Sequence, residues 1–95
     1  MFIITLSYIK PLSAIDAYLA AHRSYLDERY AVGDFLFSGP QSPRVGGIIV
    51  ARGMTRTALD ELLAQDPFYQ HQVARYDVVE FVPTKCAPGL GQYTG

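Results

Sequence analysis

Apolar residues alternate with smaller or polar ones from the second residue onward. Phe2, Ile4, Leu6 and Tyr8 fall on one side of an extended chain and Ile3, Thr5, Ser7 and Ile9 on the other. This period of two predicts a strand from Phe2 to Ile9. Pro11 ends it, and the period then changes. Ile15, Leu19, His22 and Leu26 recur at spacings of four, three and four, the stripe of a helix that packs on a sheet. Ser13, with Asp16 three residues on, is a capping-box-like start. The helix is expected to run to about Tyr30, and Gly33 stops it.

Phe35 to Ser38 reads as a short strand closed by the turn pair Gly39-Pro40. After a connection over Gln41 to Arg44, Val45 to Arg52 is a third strand, rich in Ile and Val. Gly46 and Gly47 within it predict a bulge, or close approach by a ligand or another backbone. Thr55 caps a second helix from about Arg56 to Gln65, whose apolar face is Leu59, Leu62 and Leu63. Val73 to Val82 is the fourth strand, with Val73, Val79 and Phe81 on one face and Tyr76, Val78 and Val82 on the other.

The order β-α-β-β-α-β is the split βαβ pattern. It predicts an α+β protein, a ferredoxin-like sandwich with both helices on one face of the sheet. Residues 1–83 are expected to form this domain and residues 84–95 a C-terminal tail anchored by Tyr93. Strands apolar on both faces are buried on both faces. One chain supplies helices for only one of them, so a second copy is expected to cover the other, giving a homodimer.

Composition narrows the function. The chain of 95 residues is the size of one domain, and a net charge of -1 with scattered basic residues argues against a nucleic-acid partner. Cys86 is the only cysteine, so no intrachain disulfide can form and a reducing cytoplasmic setting fits. Nothing resembles a signal peptide, and no stretch is long enough to span a membrane. There is no H-E-x-x-H, no paired Cys/His spacing, no phosphate loop and no dinucleotide fingerprint, so neither a metal nor another cofactor is expected.

The candidate chemistry centres on His22. An imidazole in an apolar stripe needs a partner. It is either a core histidine satisfied by a carbonyl or an acid/base group. Asp66 continues the stripe of Leu59, Leu62 and Leu63. Followed by Pro67, it also reads as the cap of a short turn through Phe68 and Tyr69. A carboxylate has two oxygens and can do both. With the helices side by side, His22 and Asp66 face the same sheet and could pair. Ser38-Gly39-Pro40 is either a turn or the mouth of a pocket. Without G-x-S-x-G, Ser38 is not in a nucleophile elbow. Asp34 reads as a turn residue, His71 as surface, and Cys86 as an unpartnered tail residue.

Together these features resemble the YCII-related family of small proteins. The resemblance rests on His22 with Tyr25-Leu26 after it, Gly33, Ser38-Gly39-Pro40, Gly46-Gly47 and Asp66-Pro67-Phe68, in that order, and spans Phe2 to about Phe81. It implies a ferredoxin-like fold, dimers of the α+β barrel kind, and a His/Asp-centred site; one member dehydrochlorinates a chlorinated hydroxyhydroquinone. By resemblance His22 and Asp66 are the pair, and Ser38, Gly39 and Pro40 line the pocket. This chain departs from many relatives in its short connection from Pro40 to Gly46 and in its Gly-containing tail.

The leading expectation is a cofactor-independent enzyme acting on a small, aromatic or enolisable organic molecule by elimination or isomerisation. His22 would be the acid/base, Asp66 its partner, and Tyr8, Tyr25, Phe37 and Phe68 aromatic pocket walls. The alternatives are a non-catalytic small-ligand binding or accessory protein and a cofactor-independent monooxygenase of the α+β barrel kind.

Overall fold

The alternating first strand, β1 (Phe2–Tyr8), lies between two antiparallel neighbours, β3 (Gly46–Ala51) and β4 (Ala74–Glu80). β2 (Phe35–Pro40) pairs antiparallel with the outer edge of β3, so the strand order is β2-β3-β1-β4. With α1 (Leu12–Ala31), α2 (Arg56–Leu63) and the single-turn α3 (Pro67–Gln70), this is the ferredoxin-like arrangement. The computed structural model describes residues 1–94.

The core forms where the even-numbered residues of β1 meet the helices. Phe2, Ile4 and Leu6 are buried with Ile15 and Tyr25 of α1 and Leu59, Leu62 and Leu63 of α2. Burying a large aliphatic or aromatic side chain stabilises the fold by about 1.5–3 kcal/mol each, so the alternation in β1 decides which face takes the helices.

The helix starts differ from expectation. α1 opens at Leu12 after Pro11, with no side-chain cap. The Pro11 carbonyl accepts the Ala14 and Ile15 N–H groups at 2.9 and 3.2 Å, which puts Ser13 inside the first turn. Asp16, no longer needed at the helix end, accepts from Arg44 instead. Thr55 does cap α2, accepting from the Ala58 N–H at 3.1 Å.

Gly46 and Gly47 mark close backbone approach. A Cβ on Gly46 would sit 1.7 Å from the Leu6 carbonyl oxygen, and one on Gly47 3.1 Å from that of Gly39. The bulge is in β2. Phe35 pairs with Ala51 and Phe37 with Val50, so the register shifts between them and Phe37 turns to the face without helices. There Phe37, Val50, Ile3 and Val79 form an apolar row across all four strands in register. Phe37 and Val79 are 65% and 61% exposed. In the tail, Gly91–Tyr93 forms a 3-10 turn, with the Arg52 guanidinium 5.1 Å above the Tyr93 ring. Among the described residues, no helix is long and apolar enough to cross a membrane.

Candidate functional site

α3 exists because Asp66 starts it. Asp66 Oδ1 accepts from the Phe68 N–H at 3.0 Å, and Pro67 occupies the first turn, where its missing N–H costs nothing. This cap is wholly buried. Burying a carboxylate is costly unless it is hydrogen-bonded, and two more donors supply that need. His22 Nδ1–H donates to Oδ1 at 2.8 Å, and the Tyr76 hydroxyl donates to Oδ2 at 2.6 Å. Burial, with the negative charge of Asp66 next, pushes the Tyr76 phenol well above its ordinary range, so it stays a donor.

His22 itself is 9% exposed. Phe68 lies flat against its ring, centroids 4.0 Å apart and planes within 5°. Asp66 occupies Nδ1, so the neutral ring carries its lone pair on Nε2. Position is thereby set from three elements: α1 supplies the ring, α3 the carboxylate and the stacking face, and β4 the phenol behind the carboxylate.

His22 lines a pocket of about 410 Å³ between α1 and the sheet. Leu6, Leu19, Leu26 and Ile49 give it an apolar floor, and Phe68 and Tyr8 add aromatic walls. Ser38, Gly39 and Pro40 border it from β2, where the Ser38 and Tyr30 hydroxyls hydrogen-bond to each other. Asp16 and Arg23 of α1 and Arg44 of the β2–β3 connection stand at its rim.

Of the residues named from sequence, His22, Asp66, Ser38, Gly39, Pro40, Tyr8 and Phe68 come together here. Tyr25 and Phe37 do not. Tyr25 is three residues beyond His22 on α1 and faces the core. Its hydroxyl donates to the Leu62 carbonyl at 2.8 Å, its ring meets Phe35 edge-on, and burial pushes its phenol up as well. Phe37 is carried to the opposite face of the sheet by the β2 bulge. His71 stacks on Tyr18 with centroids 4.0 Å apart, and Cys86 is free and exposed. Among the described residues, no three His, Cys, Asp or Glu side chains converge as metal ligands.

The sequence reading missed Tyr76 and the Asp16–Arg44 pair. Tyr76 had a signal, since its period-two position put it on the face of Val78 rather than of Val79. Arg44 had none, because a pair 28 residues apart depends on how a loop folds over a helix.

No curated protein matches the chain. Among solved structures, it is similar to 5-chloro-2-hydroxyhydroquinone dehydrochlorinase (TftG) from Burkholderia phenoliruptrix, in complex with 2,5-dihydroxybenzoquinone. The two share 17% identity, with a TM-score of 0.71, over 85% of this chain and 93% of that one. At that identity the likeness is one of fold, the same ferredoxin-like α+β arrangement. The family profile of the YCII-related domain matches residues 1–82, and with that match over nearly the whole chain the protein belongs to the YCII-related family.

Proposed function

We propose that the protein is a cofactor-independent enzyme that moves a proton on a small, flat, enolisable or aromatic molecule. One observation carries this reading. A histidine whose Nδ1–H is held at 2.8 Å by a buried carboxylate lines a pocket of about 410 Å³. Nε2 would take the substrate proton, and Asp66 would hold the ring and stabilise the imidazolium that forms. In an elimination the C–H electron pair becomes the new double bond and the leaving group departs with its own pair. In an isomerisation Nε2 returns the proton to another atom. The dehydrochlorinase of similar fold favours elimination, and its name supplies a first substrate to try.

The reading includes a homodimer in a reducing cytoplasm. The in-register row Phe37, Val50, Ile3 and Val79 is the surface the second copy would cover.

Exchange of substrate C–H for deuterium, followed by NMR over a panel of small enols and hydroxyquinols, tests the chemistry. The panel should include 5-chloro-2-hydroxyhydroquinone, with chloride release followed beside exchange. Wild type should catalyse exchange or release without consuming oxygen, and His22→Gln should abolish it. Binding without exchange would make the protein a ligand-binding module. Turnover that consumes oxygen would make it a monooxygenase.

A further inference from the structure

The pocket rim carries charges that are unequally partnered. Asp16, Arg23 and Arg44 are the ionised side chains there. Arg44 donates to Asp16 Oδ1 at 2.7 Å, so that carboxylate already has its counter-charge. Arg23 forms no ion pair among the described residues. The remaining carboxylate, Asp66, is wholly buried and faces three donors. A ligand therefore meets one unpaired guanidinium, Arg23, beside the Arg44–Asp16 pair, and the rim carries a net positive charge. The loop bearing Arg44 is pinned at both ends. The Gln41 N–H donates to the Gly46 carbonyl and the Tyr8 N–H to the Val45 carbonyl, each at 2.9 Å.

We propose that Arg23 and Arg44 recognise an anionic group, a carboxylate or phenolate, on a small flat substrate whose apolar part rests on Leu6, Leu19, Leu26 and Ile49. The guanidinium fork matches a pair of oxygens on one plane. Removal of a proton by the neutral imidazole makes the substrate more negative, and fixed positive groups at the rim favour that change. A cationic ligand would meet a rim of net positive charge. The role of His22 in this picture rests on the proposed acid/base chemistry; the recognition of the anion does not.

Three flat probes of nearly equal size separate charge from shape: benzoate, benzamide and benzamidinium. Each is titrated into the full chain at fixed ionic strength while the His22 ring resonances are followed. Benzoate should bind at least about tenfold more tightly than benzamide, a difference of about 1.4 kcal/mol, and benzamidinium most weakly. Arg23→Gln should remove most of that preference. Arg44→Gln should remove it likewise, because the freed Asp16 then offsets Arg23. Arg75→Gln is the control, since it changes net charge equally at a side chain 67% exposed and away from the pocket, and it should keep the wild-type order. Equal affinity for benzoate and benzamide would overturn the proposal. So would an order that survives both rim changes, or no binding of any probe at about 10 mM. If the predicted order appears while His22→Gln leaves proton exchange intact, the acid/base reading fails and anion recognition stands.

Discussion

The Tyr76 hydroxyl donates at 2.6 Å to Asp66 Oδ2, the oxygen that His22 leaves free. The phenol on β4 thus sets the rotation of the carboxylate that holds the imidazole on α1. Tyr76→Phe keeps the ring and its edge-on contact with Tyr69 but leaves a buried oxygen without a donor. An unmet buried acceptor costs about 1–3 kcal/mol, which for a domain of this size is a fall in Tm of several degrees. The imidazole ¹⁵N spectrum should also change from one Nδ1–H tautomer to a mixture. A lower Tm with an unchanged tautomer would leave Tyr76 a packing residue only.

His22 and Asp66 should act as a unit. His22→Ala should lower turnover by about 10²–10⁴, the usual share of a general acid/base. Adding Asp66→Asn should cost little more, because groups in one relay lose function non-additively. Independent, multiplying losses in a double-mutant cycle would reduce Asp66 to the cap of α3.

Alkaline stability should fall steeply. The Tyr25 and Tyr76 phenols are both raised, by burial first and by Asp66 second. The folded state therefore holds two protons that the unfolded chain gives up near pH 10. Their stabilisation is full below that pH and is lost as pH rises toward the folded values. Two protons correspond to about 2.7 kcal/mol per pH unit. Denaturant midpoints between about pH 10 and 11.5 should show this slope, and Tyr25→Phe or Tyr76→Phe should each halve it. A slope unchanged in both variants would contradict the assignment.

The proposed dimer has a direct test. Wild type should sediment as a dimer at tens of micromolar, roughly the range in which specific interfaces hold. Val79→Glu changes a side chain already 61% exposed in the protomer, so it should fold and sediment as a monomer. Monomeric wild type would leave the apolar row on the sheet without a second copy to cover it.

Gly46→Ala should cost more than about 3 kcal/mol, beyond the usual price of overpacking, because its Cβ would lie 1.7 Å from the backbone oxygen of Leu6. Gly39→Ala, which meets nothing within 4 Å, should lie within about 1 kcal/mol of wild type by denaturant unfolding.

Element order, the helix-facing side of β1 and the orientation of His22 and Asp66 toward one sheet were all legible in the sequence. Each follows from a local period, two along a strand or about 3.6 along a helix, and a period is written in neighbouring residues. Asp66-Pro67 likewise announces its own cap. What only the tertiary structure decided lies between elements. The extra residue in β2 inverts Phe37 relative to Phe35, and alternation alone cannot show where a bulge falls. Tyr76 reaches Asp66 because β4 pairs with β1 beneath α3, which sets Tyr76 opposite Leu6. Arg44 reaches Asp16 because the β2–β3 connection folds over α1. Such distances are fixed by strand register and helix docking, where the burial of the whole core outweighs any single side chain's preference.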